Sequence, residues 1–322
     1  MKHKSRLSKQ QESDKFRQLA RDHWNVELGE CVKASQNHTF LVNNGTGERF
    51  VLRVTPDPND KRSESIELEV ALLEYLYEHK LPVCRAIQSS ITSSAIVRSD
   101  GSLILCLFRF ATGEPIVYTD WTWITNREIV IGLGRWFARL HQLTRRFVQE
   151  QPVLAARARY WTTIHDGILA SVEVDEHDKK LISDPAYFGI IHGDVIASNY
   201  YWDSTMKLPC VYDWDELQQS WFLYDLSAPI WGVIILEKAG SPIDQSVVPQ
   251  ANSELYTTWL IDGYQSDGDK SIVDRAALQR MITIRRELYK RFCRQALAEL
   301  SIEHPVAQFC KFMADFFDNE EK

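Results

Sequence analysis

Residues 190–202 read IIHGDVIASNYYW. A short apolar run ends in His192, Gly193 and Asp194, and Asn199 stands five positions after the aspartate. Taken singly, each is an ordinary structural residue: Asp and Asn beside Gly form turns, and a His next to a core strand is usually a hydrogen-bonded packing group. Taken together they are harder to dismiss. With each type at a few per cent of residues, a chance H-G-D-x-x-x-x-N is on the order of one in a thousand for a chain of this length. Further on, Asp213 closes the apolar run PCVY, and Asp225 stands in LYDLS.

The spacing suits one chemistry in particular. Transfer of a γ-phosphoryl group needs a residue to orient the attacking hydroxyl, oxygen ligands for Mg2+, and cationic or N–H groups on the phosphates. A kinase catalytic loop sets an Asp toward the acceptor and an Asn, five residues later, toward a metal. Asp194 and Asn199 have that separation, and Asp213 is placed to supply a second, metal-binding carboxylate. Mg2+ prefers oxygen ligands and keeps several waters, so one carboxylate, one amide oxygen and the nucleotide phosphates satisfy it. Asp215, two residues beyond Asp213, is a weaker candidate on the same face. A zinc hydrolase built on His192 fits poorly, because no second histidine stands at ligand spacing.

Composition narrows the field further. In 322 residues, 37 Lys and Arg face 44 Asp and Glu, for a net charge of -7. That balance leaves no broad basic surface for a nucleic-acid backbone. The six cysteines are scattered, with no CxxC pair, which suits reduced thiols better than disulfides or structural zinc. Residues 1–20 are charged throughout and lack the apolar core of a signal peptide. The longest apolar stretch, APIWGVIIL at 228–236, is about half a membrane span and reads as a buried helix. A cytoplasmic protein with neither a membrane nor a nucleic-acid partner is expected.

Periodicity divides the chain. Residues 38–54 give two β-rich runs around an Asn/Gly turn, a hairpin signal. In ESIELEVALLEYLYEHK, Ile66, Val70, Leu73 and Leu76 recur at helical offsets. A strand pair is expected around Asp100-Gly101, ending in LILCLFRF. Beyond ATGEP the pattern turns helical. Ile129, Leu133, Trp136, Leu140 and Leu143 form a stripe that buries one face of a helix despite two glycines. Further amphipathic helices are expected over 154–183 and beyond 250, with one hairpin, YYWD to KLPCVYDWD, set among them. The expectation is an α+β fold of two lobes: residues 1–110, a small antiparallel sheet with one or two helices, and residues 111–322, mainly helical.

IIHGDVIASNYYWD, with VYDWDELQQSWFLYDLSAPIW after it, resembles the signature of the aminoglycoside phosphotransferase and choline kinase superfamily, particularly its type II homoserine kinase-like branch. The likeness extends to GRWFARLHQLT, LIDGYQ and TIRRELY. It implies a bilobal protein-kinase-like fold, an ATP and Mg2+ requirement, and transfer of phosphate to a hydroxyl of a small molecule such as an amino alcohol, amino acid or aminoglycoside-like sugar. Asp194 would be the catalytic base, Asn199 and Asp213 the Mg2+ ligands, and His192 and Asp225 the braces of the catalytic loop. Where many relatives carry proline in H-G-D-x-x-P-x-N, this chain has Ala197 and then Ser198.

The nucleotide side is marked less clearly. KASQNHTFLV aligns with the superfamily's phosphate loop but offers Ser35, Gln36 and Asn37 in place of glycines, so a plain β-turn is an equal reading. FVLRV resembles the strand that carries the kinase lysine, with Arg53 in its place and Glu69 as the matching acid; an exposed strand cation is the alternative. CLFRFATGEP resembles the hinge that meets adenine, with main-chain groups of Arg109 and Ala111 and apolar packing from Val51 and Phe108. Two other outcomes share these residues: a protein Ser/Thr kinase, and a non-catalytic nucleotide sensor suggested by the glycine-poor loop and Arg53.

Overall fold

The computed structural model describes residues 9–34, 37–244, 246–268 and 273–320. The chain divides into two compact units, one running to Glu78 and including Val83–Ala111, the other made of His79–Pro82 and the chain from Thr112 onward.

In the first unit, α1 (Lys9–Trp24) leads into β1 (Val26–Ala34), β2 (His38–Asn44) and β3 (Arg49–Pro56); then come α2 (Ser63–Glu78), β4 (Ala86–Ile87), β5 (Val97–Ser99) and β6 (Leu103–Arg109). The strands form one antiparallel sheet in the order β1-β2-β3-β6-β4, with β5 also paired to β6. The expected hairpin over 38–54 is β2–β3. Its turn is closed by Asn44, whose Oδ1 accepts the N–H groups of Thr46 and Glu48 at 3.0 and 2.9 Å, and by Gly47 at φ 82°. Period-two alternation sends Phe40, Val42, Phe50, Leu52 and Val54 to one core, where Phe16 and Ala20 of α1 cover them. α1 and β1 carry no clear sequence signal, because α1 is polar on most of its surface and β1 is largely exposed.

The second unit holds β7 (Glu114–Pro115), α3 (Thr122–Thr125), α4 (Arg127–Glu150), α5 (Pro152–Ala155), β8 (Arg159–Tyr160), α6 (Glu176–Leu181), β9 (Phe188–Ile191), β10 (Tyr200–Asp203), β11 (Leu208–Val211), β12 (Gln218–Trp221), α7 (Phe222–Ala239), α8 (Ser253–Asp267), α9 (Arg275–Glu299) and α10 (Pro305–Glu320). Two three-stranded sheets, β11-β10-β7 and β8-β12-β9, are set among these helices. The sequence stripe on α4 is buried along its length, and Asn126 caps it by accepting the Glu128 N–H at 2.9 Å. α7 carries the apolar run and is buried almost all round. Among the described residues, no helix is long and apolar enough to cross a membrane.

The helices expected over 154–183 do not form as such. That stretch holds only the short α5 and α6, strand β8 and two 3-10 turns, Trp161–Gly167 and Leu169–Ser171. Aromatic and β-branched residues from Tyr160 to Ile164 are poor helix formers, and Gly167, at φ 81°, prevents a helix from continuing past it.

Of the two glycines in the α4 stripe, Gly132 faces Trp202 and the Lys207 carbonyl, and Gly134 marks a close crossing with α8. A Cβ on Gly134 would lie 2.1 Å from the Leu260 carbonyl oxygen of α8, and one on Gly263 would lie 2.1 Å from the Ile131 carbonyl oxygen of α4. The backbones therefore meet with nothing between them. Gly232 in α7 has nothing within 4 Å of its Cβ position. Gly134→Ala or Gly263→Ala is expected to lower the unfolding free energy by about 2–3 kcal/mol through overpacking. Gly232→Ala is expected to raise it by about 0.5–1 kcal/mol through helix propensity alone. Urea unfolding of the three variants gives both signs in one series.

Candidate active site

β9 ends at Ile191, and the next three residues turn sharply. Gly193 has φ 89°, and a Cβ there would lie 2.6 Å from the Glu216 carbonyl oxygen and 2.8 Å from Gln218 Nε2. The turn thus requires glycine for conformation and for space. It is held by Asp225, in the first turn of α7 and wholly buried. Its Oδ1 accepts the Gly193 N–H at 2.9 Å and its Oδ2 accepts the His192 N–H at 3.1 Å. Oδ2 also meets Nε2 of the buried His141 at 3.1 Å, and His141 Nδ1 lies 2.9 Å from the Tyr264 hydroxyl. A chain of partners thus runs from α8 through α4 and α7 to the turn.

His192 is itself fully buried. Its Nδ1 accepts the Asp194 N–H at 3.3 Å, which leaves Nε2 to donate to the Tyr212 carbonyl at 3.2 Å. Both ring nitrogens are committed to main chain, and the ring lies against Trp214 with centroids 4.6 Å apart. This is the geometry of a brace and not of a proton shuttle. Asn199 ends a 3-10 turn and is 8% exposed. Its Nδ2 donates to the Asp194 carbonyl at 2.8 Å and approaches Asp194 Oδ2 at 3.3 Å. The Asn199 carbonyl accepts the Tyr212 N–H at 2.9 Å, so the residue before Asp213 is tied to Asn199.

Asp213 has left-handed dihedrals, φ 64° and ψ 67°. A non-glycine residue held there is uncommon and marks a position where the surroundings dictate the backbone. Asp194, Asp213 and Asp215 all lie near enough to Glu216 to act on its charge. Burial first, and then repulsion from these three carboxylates, pushes the Glu216 carboxyl up, against the pull of Arg159. Four acids therefore gather at one place. Among the described residues, no three His, Cys, Asp or Glu side chains form a closed metal site. The donors Asp213 and Asn199 Oδ1 instead match a hard cation that takes its remaining ligands from water and phosphate.

The residues expected on the nucleotide side lie in the first unit. Arg53 sits on the interior strand β3, so it is not an exposed edge cation. Its Nη1 and Nη2 donate to Glu69 Oε1 and Oε2 of α2 at 2.8 and 2.5 Å, a bidentate pair with side chains 11% and 9% exposed. Asn37 is buried and accepts from Thr55 Oγ1 and from Arg62 Nη1, each at 2.9 Å. Ser35 lies outside the described residues. Val51 pairs across the sheet with Phe108. The Arg109 N–H donates to the Arg85 carbonyl at 3.0 Å and is therefore committed within the unit; Ala111 lies beyond the end of β6.

The pocket beside Asp194 is not legible in the sequence. Ile164, Tyr224, Arg285, Leu288, Tyr289 and Phe309 line a pocket of about 190 Å3 together with Asp194 and Glu216. Arg285 has no marker beyond the TIRRELY resemblance; a basic residue on the buried face of an amphipathic helix is the one available signal.

The buried pair at the root of the turn makes stability depend on pH. Burial pushes the His141 imidazole below its ordinary 6.5, and the hydrogen bond it donates to the charged Asp225 offsets this only in part. Burial pushes the Asp225 carboxyl up, but the hydrogen bond donated by His141 and, after it, that of the Gly193 N–H hold it below its ordinary 3.8. The folded chain thus refuses a proton that an unfolded histidine accepts near 6.5, so the stability from neutral His141 is complete above that pH and lost below it. Urea unfolding at pH 7.5 and 5.5 is expected to show a loss approaching about 1.4 kcal/mol per pH unit below 6.5. His141→Gln is expected to remove that slope while lowering stability at pH 7.5.

The sequence of residues 32–250, more than half of the chain, matches the model of the phosphotransferase enzyme family, APH. Among solved structures, an amicoumacin kinase in complex with AMP-PNP, Ca2+ and Ami has a TM-score of 0.72 at 18% identity, over 98% of this chain and 95% of that one. A microcompartment-associated aminopropanol kinase has a TM-score of 0.60 at 17% identity, over 94% and 95%. An ethanolamine kinase from Plasmodium vivax has a TM-score of 0.60 at 12% identity, over 97% and 90%. No curated protein matches the sequence. The likeness to these structures is one of fold, an antiparallel-sheet N-terminal region and then a helical C-terminal region, and on the family match the chain belongs to the APH phosphotransferase enzyme family.

Proposed function

We propose that the chain is an ATP-dependent phosphotransferase of the type II homoserine kinase-like branch, moving the γ-phosphoryl group onto a hydroxyl of a small molecule such as an amino alcohol, an amino acid or an aminoglycoside-like sugar. The observation that carries this reading is the folded His192-Gly193-Asp194 turn. Its main chain is fixed by Asp225, its aspartate is contacted by Asn199, and Asn199 is tied in turn to the residue before Asp213.

Asp194 takes the role of base. Its carboxylate accepts the acceptor's hydroxyl hydrogen bond, aims the oxygen at the γ-phosphorus and receives the proton as the new P–O bond forms and the bond to the ADP oxygen breaks. Asn199 Oδ1 and the Asp213 carboxylate would hold Mg2+, which neutralises charge on the phosphates. His192 and Asp225 keep the turn in place without touching the reactants. Arg53, held by Glu69, is the proposed phosphate cation, with Asn37 and Ser35 in the phosphate loop. Val51 and the main chain of Arg109 and Ala111 are the proposed adenine contacts.

A coupled ADP-release assay with Mg-ATP tests the reading across homoserine, choline, ethanolamine, hydroxylysine, aminoglycosides and thiosugars, with a generic protein acceptor alongside. At least one small hydroxyl compound is expected to give turnover, and Asp194→Ala is expected to lower kcat by a factor of about 10²–10⁴. Mg-ATP that raises the melting temperature with no turnover on any compound would replace this reading by that of a nucleotide sensor. Phosphate found on protein alone would make the chain a protein kinase.

A further inference from the structure

Arg285 is a buried cation without an acid. It projects from α9, is 4% exposed, and has no carboxylate within ion-pair distance among the described residues. Its Nε donates to Ser227 Oγ at 2.9 Å, and its Nη2 donates to the Gly193 carbonyl at 3.1 Å and the Tyr224 carbonyl at 2.9 Å. The guanidinium lies over the Tyr224 ring, 4.2 Å from its centroid. A guanidinium has five N–H donors. Three are thus given to neutral oxygens, and the two on Nη1 have no acceptor among the described residues.

Those two donors are not sealed in. Among the described residues, Nη1 of Arg285 is not one of the fully enclosed polar atoms that lack a hydrogen bond. Arg285 lines the pocket that also holds Asp194, and that pocket is where a residue so deeply buried meets open space. A guanidinium withdrawn from water is costly unless its donors and its charge are answered. Neutral carbonyls answer part of the hydrogen bonding and none of the charge. A carboxylate oxygen answers both, and a charge-assisted bond of this kind is about twice as strong as a neutral one. With only Nη1 available the contact is to one oxygen and not a two-pronged fork.

We propose that Arg285 is the specificity-determining residue of the acceptor pocket and selects a hydroxylated molecule that also carries a carboxylate, which Nη1 binds while the hydroxyl lies at Asp194. The inference rests on the phosphotransferase reading above and deepens it. The apolar and aromatic walls, Ile164, Leu288, Tyr289 and Phe309, add room for a hydrocarbon portion. Because Nη2 of the same group holds the Gly193 carbonyl, the acceptor and the catalytic turn are tied to a single side chain. An acceptor that lacks the carboxylate leaves the Nη1 donors unanswered in the closed pocket, which penalises it relative to its carboxylated counterpart.

The test uses the full chain and pairs of alcohols that differ only in a carboxylate: homoserine against 3-aminopropanol, serine against ethanolamine, and 4-hydroxybutyrate against 1-propanol. In at least one pair the carboxylated member is expected to have a kcat/KM higher by a factor of about 30 or more. Arg285→Lys, which keeps the charge but not the donor geometry, is expected to cut that preference at least tenfold, mainly through KM. Arg285→Met is the harsher variant, and the melting temperature of both is checked first. Equal kcat/KM within every active pair overturns the inference, as does an Arg285→Lys enzyme that loses activity equally on both members. If no compound is turned over, the phosphotransferase reading is what fails. Binding then decides the matter for Arg285: the carboxylated members alone are expected to raise the melting temperature of the wild-type chain without nucleotide, and equal shifts within each pair overturn the inference.

Discussion

The carboxylate of Asp225 is the interaction on which the second unit depends. It is wholly buried, and both of its oxygens are spent on the turn that presents Asp194 and on His141. A buried charge of this kind is tolerable only when its lone pairs are filled, and here the filling groups come from the end of a strand and from a separate helix. Gly193 is gripped on both sides, its N–H by Asp225 and its carbonyl by Arg285. The two peptide groups that flank its Cα are therefore held by two helices that are far apart in sequence, and Asp194 inherits its direction from that grip.

The same packing leaves the turn little room for substitution. Its glycine is forced by the nearness of Glu216 and Gln218, and its histidine is consumed by main-chain partners on both sides of the ring. Acids crowd one side of the site, where Asp194, Asp213 and Asp215 bear on Glu216. Such crowding is unfavourable in isolation. It becomes favourable when a divalent cation and a cationic side chain share the space, which is the circumstance that phosphate chemistry requires.

Legibility in the sequence depends on which forces are local. The turn, its asparagine and the two later aspartates lie close together in the chain and carry residue types that packing alone would not select, so they stand out. The β2–β3 hairpin and the α4 stripe are equally plain, because period-two and helical repeats are written directly into neighbouring residues. The stretch 154–183 misleads, since enough apolar residues fall at helical offsets there to mimic amphipathicity while Tyr160 to Ile164 resist the helix. Strands β8 and β12 are too short to leave a pattern. Arg285 belongs to a different category: its meaning lies in contacts to Gly193, Tyr224 and Ser227, between 58 and 92 positions away, and nothing in its own neighbourhood announces them. The glycines of α4 are visible as an oddity, but their purpose requires what packs on them, the β10–β11 hairpin for Gly132 and α8 for Gly134.

Asp213 carries a last consequence. Its left-handed backbone suits a residue without a side chain, and holding an aspartate there withholds on the order of 1 kcal/mol from the folded state. Glycine would relax that position and remove the carboxylate at the same stroke. Selection for heat resistance alone would therefore favour glycine at this residue, and a consensus drawn only to harden the protein would discard a carboxylate that the proposed chemistry uses.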